Sequence, residues 1–284
     1  MKYFSVLVFL SFSCFATAQK VVDRAIVKSQ TEIVFPENPG GPGGGPGGGG
    51  QDGDRVMNFG GMGGLDLTST IFFKGDMTKI ESTSDFGNNI TILDHKNKKT
   101  TTLMEMMGKK MGFYSTEDDE KVMRARQDSI RARRTDSLQK MGITVAPPPK
   151  PEIVYTEETK KIAAYTCKKA IIKTKNRQGE VSEAAVWYCP EFKMADGFSM
   201  NAGGGMGRGM LGGMNGMDQV NGFPMEYEMQ RTNGMKIHMT VTKVQLDAPI
   251  DDKTFEIPKG YDIKPMSEMG GPGGGGRIFR MGEN

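Results

Sequence analysis

The chain has 284 residues and a mass of 31.1 kDa, which is enough for one or two domains. It carries 37 basic and 34 acidic residues, and a net charge of only +3 argues against a dedicated nucleic-acid-binding protein, since such proteins concentrate basic residues on one face. Of its 39 glycines, 31 fall within residues 38–64, 197–222 and 270–284. We therefore expect a folded core interrupted by flexible Gly-rich segments.

Residues 1–18 have the layout of a secretory signal peptide. Lys2 precedes an apolar run that ends at Phe15, and small residues suited to a cleavage site end the segment at Ala18. The apolar run is too short to span a bilayer. We therefore expect a mature chain that begins near Gln19, has no transmembrane segment and is periplasmic, extracellular or associated with the outer membrane.

Composition divides the rest of the chain into segments. Alternating apolar and polar residues predict strands, whereas runs of Gly and Pro predict linkers, because such runs cannot repay the entropy of ordering. The predicted boundaries are an N-terminal strand at 19–37, a Gly/Pro-rich linker at 38–64, the first part of a β-domain at 65–116, a charged helix at 117–143, a Pro-rich spacer at 144–151, the second part of the β-domain at 152–265 with a Gly/Met-rich insert at 197–222, and a disordered tail at 266–284.

The first part of the β-domain predicts a series of hairpins. Apolar residues alternate with polar ones from Leu65 to Phe73, which is typical of a half-buried strand. Gly75 and Asp76 suit a two-residue turn and place Ile80 opposite Ile71. Further strands are predicted at Asn89–Leu93, Thr100–Met106 and Lys109–Ser115.

Residues 117–141 predict a helix, because they are rich in helix-forming residues and contain no Gly or Pro. Four acidic residues open the segment, where the helix dipole favours negative charge, and Lys140 lies near its end. Apolar positions are sparse. We expect a helix that is solvated or only lightly docked.

Two cysteines remain after removal of the leader, and the next hairpin places them opposite each other. Strands predicted at Ala163–Lys175 and Val181–Cys189 flank the loop Arg177-Gln178-Gly179, which suits a three-residue turn with Gly in the left-handed position. The resulting register pairs Cys167 with Cys189, at a separation that permits a disulfide. An exported protein meets an oxidising environment, so we expect this disulfide rather than two unrelated buried thiols.

A second hairpin surrounds Thr232-Asn233-Gly234. A two-residue Asn-Gly turn would pair Met229 with His238. A three-residue loop instead pairs Met229 with Ile237 and makes one face continuously apolar. Burial of one face sets the register of a strand, so the three-residue loop is predicted.

No catalytic constellation is recognisable in the sequence. His95 lies in a lysine-rich turn and His238 on the polar face of a strand, and neither has a Cys or carboxylate cluster at zinc-ligand spacing. The adjacent acids Asp251 and Asp252 are assigned to a solvated turn before a last strand at 254–257. We therefore predict that the protein is not an enzyme.

Four segments together resemble a family of secreted bacterial domains of unknown function with a half-barrel like that of the lipoprotein carriers LolA and LolB. The segments are STIFFKGDMTKIE, IAAYTCKKA with AVWYC, GFPMEYEMQRTNGMKIHMTVTKV and FEIPKGY. The "Y-x-C-x-K-A … W" arrangement also resembles GLPGLI-type proteins. The resemblance implies an antiparallel sheet curved around a helix or an apolar groove, and it implies no catalytic residues.

The leading functional hypothesis follows from the alternation and this resemblance. We expect a mainly β fold with one helix (α+β), in which a curved antiparallel sheet or half-barrel with disordered Gly/Met-rich inserts presents one apolar face. That face would bind a lipid-like ligand or an envelope component without catalysis. The groove candidates are Leu67, Ile71, Phe73, Tyr227, Met229, Ile237, Met239 and Val241.

The methionines leave an alternative open. There are 23, and in the second insert they alternate with glycine. Soft thioethers at short spacing can bind Cu(I) or Ag(I), although methionine also serves as a flexible apolar filler, which needs no metal. The candidate ligands are Met206, Met210, Met214 and Met217. A structural cell-surface interaction module is the third hypothesis.

Overall fold

A computed structural model describes residues 19–36, 64–106, 108–141, 150–175, 181–195, 216–230 and 234–269. The predicted leader, nearly all of the Gly/Pro-rich linker, most of the Gly/Met-rich insert and the Gly-rich end of the tail lie outside these ranges.

The described residues are mainly β, with one α-helix among them. The elements in chain order are β1 (Lys20–Val22), β2 (Arg24–Val34), β3 (Gly64–Lys74), β4 (Met77–Ser84), β5 (Gly87–Asp94), β6 (Lys99–Met106), β7 (Lys109–Ser115), α1 (Glu117–Lys140), β8 (Glu152–Ile162), β9 (Tyr165–Lys175), β10 (Val181–Cys189), β11 (Phe192–Met194), β12 (Phe223–Gln230), β13 (Lys236–Leu246) and β14 (Asp262–Pro265). Short 3-10 helices cover Met217–Gln219, Asp252–Phe255 and Met266–Met269.

Twelve of these strands form one open sheet that does not close into a barrel. Its order is β14-β7-β6-β5-β4-β3-β2-β13-β12-β10-β9-β8. Neighbouring strands are antiparallel except β14, which pairs in parallel with β7. A separate parallel pair, β1 with β11, lies outside this sheet. The predicted class, mainly antiparallel β with a helix, is confirmed.

The two faces of the sheet differ in chemistry. Residues paired across an antiparallel ladder share a face, and successive residues alternate between faces. Over the seven neighbouring strands β6-β5-β4-β3-β2-β13-β12, one set of paired positions contains no charged residue. We call this side the uncharged face; it includes Val27, Ile71 and Ile237. The charged face is the opposite side, with Glu32, Asp66 and His238.

The main core lies on the uncharged face. Ala25, Val27 and Ile33 of β2 are fully buried, as is Ile237 of β13. The core continues into the next two strands of the sheet order, where Val186 of β10 is also fully buried. At about 25 cal/mol for each Å² of apolar surface removed from water, burial on this face is the main source of stability.

Helix α1 spans most of the predicted segment and is built from local signals. The Thr116 hydroxyl accepts a hydrogen bond from the Asp119 amide, and the Asp119 carboxylate accepts one from the Thr116 amide, which completes a capping box. Val122 and Ile130 are 68% and 58% exposed, as expected for a lightly docked helix.

Two predicted strand boundaries are wrong. Residues 254–257 do not form a strand, because Asp251 caps a 3-10 helix that begins at Asp252; the last strand is β14. The strand predicted to begin at Ala163 begins at Tyr165 instead. Ala163 and Ala164 have positive φ angles and form the turn after β8, a strand that the sequence analysis did not identify.

Candidate functional site

All eight groove candidates lie on the uncharged face. Tyr227 pairs with Met239, and Met229 with Ile237, so the three-residue register of the β12–β13 hairpin is confirmed. Ile71 pairs with Ile80 across the β3–β4 turn, also as predicted. The sheet thereby brings together candidates from the two predicted parts of the β-domain, because β2 pairs with both β3 and β13.

Exposure separates the candidates into two groups. Six are buried, with exposed fractions of 0–5%: Ile71, Phe73, Tyr227, Ile237, Met239 and Val241. Leu67 and Met229 are only half-buried, as is Leu65, which pairs with Ile33. The accessible part of the uncharged face therefore lies toward the end of the sheet where β3 begins and β12 ends.

A strip of polar, uncharged side chains crosses the same face. Ser69 pairs with Ser82, and Ser82 with Asn89, along one row of β3, β4 and β5. Thr91 pairs with Thr102 in the adjoining row. We call these five residues the polar strip. Ser69, Ser82 and Asn89 are half-buried, whereas Thr91 and Thr102 are fully buried.

Most side chains of the polar strip are hydrogen-bonded to one another. The hydroxyl oxygens of Ser69 and Ser82 are 2.8 Å apart, and the Thr91 hydroxyl donates to the Asn89 side-chain oxygen over 3.3 Å. The Thr102 hydroxyl is buried and has no hydrogen-bond partner among the described residues. Leaving a buried hydroxyl without a partner costs about 1–3 kcal/mol, so a hydrogen bond from a ligand to this group would be favourable.

The polar strip was not predicted from the sequence. Each strand by itself shows only an alternation interrupted by Ser, Thr and Asn. The strip becomes visible when the registers of three successive hairpins are placed side by side. The predicted Gly75-Asp76 turn supplies the first of these registers, so the signal was present in the sequence.

The two cysteines lie in neighbouring strands, in the predicted register. Tyr188 pairs with Lys168, and continuing this register by one residue places Cys189 opposite Cys167. Both side chains are fully buried and both are free thiols in the structure. Burial raises the pKa of Cys167 to about 12, with a further contribution from Cys189. The strand register is confirmed, while the disulfide stays a prediction.

The methionine site is described only at one residue. Met217 is buried, 7% exposed, and belongs to the main core cluster. Met206, Met210 and Met214 lie outside the described residues. The described part of the chain contains no group of three or more His, Cys, Asp or Glu side chains placed to hold a metal ion.

The two histidines lie in the environments predicted for them, His238 on the charged face and His95 in the lysine-rich turn after β5. His238 pairs with Glu32 on one side and Glu228 on the other, beside a cavity of about 220 Å³ lined by both acids. Its Nε2 atom lies 3.6 Å from the Glu226 carboxylate. His95 lies 3.3 Å from the Thr78 hydroxyl.

No helix in the described ranges is long and apolar enough to span a membrane.

Comparison with solved structures finds similarity at low sequence identity. Two structures of PNGF-II align with 14% identity and TM-scores of 0.36 and 0.37, covering 90% and 91% of this chain. The alignments cover 33% and 34% of PNGF-II, so this chain spans about a third of its length. A Vibrio parahaemolyticus domain ascribed to an outer membrane lipoprotein-sorting protein aligns with 6% identity and a TM-score of 0.26, covering 84% of this chain and 91% of that domain.

One family model matches part of the sequence. No curated protein matches the sequence. The predicted relation to GLPGLI-type proteins stays a prediction. The expectation of a domain of unknown function is confirmed for the region from β8 to Tyr261, because residues 152–261 match the family described as domain of unknown function DUF4412.

Proposed function

We propose that the protein is an exported, non-enzymatic binding protein that holds a hydrophobic, lipid-like ligand against the uncharged face. The observation that carries this proposal is the complete segregation of charge across seven neighbouring strands. Burying a charged group without a partner is costly, whereas burying alkyl chains is favourable, so such a face suits a ligand with a long apolar part.

Half-buried side chains support an entry point at one end of this face. Leu65 and Leu67 lie on β3 and Met229 on β12, and all three remain partly open to solvent. Leu67 pairs with Thr31, and the row continues through Met239 to Tyr227. An alkyl chain that displaces water from Leu67 and Met229 would gain about 25 cal/mol for each Å² of apolar surface that it covers.

A probe-binding experiment tests the proposal. Delipidated protein is titrated with a fluorescent fatty-acid or neutral lipid probe, and the paired substitution Leu67→Gln with Met229→Gln is compared with the native chain. Placing two amides where the probe would lie should raise Kd at least tenfold, which corresponds to about 1.4 kcal/mol. The matched control, Thr68→Gln with Glu228→Gln, alters the charged face of the same two strands and should leave Kd unchanged.

Native mass spectrometry of protein purified from its own host provides an independent test. A copurifying lipid-like species would support the proposal. Failure of delipidated, folded protein to bind any apolar probe would overturn it, and the described fold would survive that result.

A further inference from the structure

The uncharged face is not uniformly apolar. In the sheet order, the row of the polar strip that contains Ser69 begins at Ser29 of β2, which is also buried and polar, and Ser29 pairs with the apolar Val241 of β13. Along β3 the face changes from Leu67 to Ser69 and back to Ile71, and the row of Ser69 continues into Ser82 and Asn89. An apolar surface and a set of hydrogen-bonding groups therefore adjoin on one side of the sheet.

The polar strip has hydrogen-bonding capacity but no charge. Ser and Thr hydroxyls donate and accept, and the Asn89 amide also does both. The charged positions on these strands, such as Lys79, Glu81 and Glu105, belong to the opposite face. A carboxylate or ammonium group placed on the strip would lose its hydration without gaining an ion pair.

Thr102 is the second observation that indicates a ligand. Its side chain is fully buried, yet its hydroxyl has no partner in the part of the chain that the structure describes, although buried hydroxyls are nearly always hydrogen-bonded. It lies one pairing row from Asn89 and next to Met104 on the same face of β6. Ser69, Ser82 and Asn89 are half-buried, so a ligand can contact them from solvent, whereas it reaches the fully buried Thr102 only if the side chains that cover that residue move aside.

We propose that the ligand is a neutral amphiphile of the acylglycerol type, whose uncharged head carries hydroxyl and carbonyl oxygens and hydrogen-bonds to the polar strip while its alkyl chain covers Leu67 and its apolar neighbours. This inference rests on the proposed function, since it names the chemical class bound at the same face. It assigns the head group to Ser82, Asn89 and Thr102, and it excludes fatty-acid anions as the preferred ligand.

Competition among three molecules with similar chains tests the class. Monooleoylglycerol, oleate and octadecene each compete with bound Nile red on the delipidated full chain. Monooleoylglycerol should displace the dye at a concentration at least tenfold below that of oleate or octadecene, because only its head is both neutral and able to hydrogen-bond. If Nile red binds and oleate or octadecene competes equally well or better, the inference is overturned. If no apolar molecule binds, the proposed function itself fails.

Two substitutions test the assigned residues. Thr102→Val should raise the thermal midpoint of unfolding, because it removes a buried hydroxyl that has no partner among the described residues. It should also raise the Kd for monooleoylglycerol about fivefold, which is the effect expected from the loss of one hydrogen bond. Ser82→Ala should weaken binding by a similar factor. Thr83→Ala, exposed on the opposite face of β4, is the control and should change neither quantity. Unchanged affinity in both Thr102→Val and Ser82→Ala would overturn the assignment, and a purely structural Thr102 would change stability alone.

Discussion

At the scale of single residues, the two cysteines have the most distinctive environment. Burial raises the pKa of both thiols, that of Cys167 to about 12, so both are protonated at neutral pH. A protonated, fully buried thiol is a poor nucleophile and a poor metal ligand. Their opposed positions in β9 and β10 instead favour a covalent bond between them in an oxidising compartment.

We predict that protein recovered from an oxidising compartment contains a Cys167–Cys189 disulfide. Its loop should stabilise the fold by about 3 kcal/mol in the chain-entropy model. Intact-mass measurement should show the loss of two hydrogens relative to the reduced chain. Labelling of both cysteines in unfolded, unreduced protein would contradict the prediction.

The reduced form should show a matching dependence on pH. The pKa of Cys167 is about 12 in the folded chain and has its ordinary value of 9.0 in the unfolded chain. Between these two pH values the unfolded chain releases the thiol proton while the folded chain retains it, so the free energy of unfolding falls as pH rises. Denaturant melts of reduced protein across this range should therefore lose stability more steeply than melts of Cys167→Ala, which serves as the control for titrating lysines and tyrosines.

At the scale of elements, the tight turns of the β3–β7 hairpins set strict local demands. Gly87 begins β5 with a φ of +139°, and a Cβ atom there would lie 2.0 Å from the backbone oxygen of Glu105. Gly75, in the β3–β4 turn, also has positive φ but has nothing within 4 Å of the corresponding position. A side chain at Gly75 would therefore meet backbone strain alone, whereas a side chain at Gly87 would meet both strain and steric overlap.

We predict that Gly87→Ala is much more destabilising than Gly75→Ala. The Gly75 substitution should cost about 1 kcal/mol, the penalty for a left-handed alanine. The Gly87 substitution should cost about 3 kcal/mol or more, because the β5–β6 backbones must also separate. Urea unfolding of the two variants measures the difference, and equal losses would contradict this description of the β5–β6 contact.

The elements that could be predicted from the sequence are those whose own residues show a local pattern. Alternation and turn residues locate β3 and β4, and an acidic first turn locates α1. Edge strand β8 was missed because its outer residues are charged and its turn, Ala163-Ala164, contains no Gly, Asn or Asp. Strand β14 depends on β7, far away in the sequence, and no local pattern encodes that parallel pairing.

At the scale of the whole molecule, β2 and β13 join the two parts of the sheet. Residues 152–261, which match the family, include β13 but not β2. Ala25, Val27 and Ile33 of β2 are fully buried beside the family-matched strands. The shared face of the eight groove candidates could be predicted from alternation, but their assembly into one surface depends on this central pairing.

We predict that residues 150–269 expressed alone do not fold cooperatively. Without β2, strand β13 becomes an exposed edge and its buried side chains, such as Ile237, lose their neighbours. Thermal melts of the fragment should lack the transition of the full chain, whereas a chain in which a flexible linker replaces α1 should retain it, since α1 contacts little beyond β7. A cooperative fragment with similar stability would contradict this role for β2.

The pairing of β2 with β13 also fixes an order of events during synthesis. Val34 pairs with Lys236, so β2 emerges during synthesis or export about 200 residues before the strand that completes its ladder. The hairpins of β3 to β7 can assemble early, but the pairing of β2 with β13 has to wait until residues 236–246 have emerged. Such distant pairing slows maturation, and nascent chains halted before residue 236 would display an open backbone edge in the middle of the future sheet, where chaperones or neighbouring copies could attach.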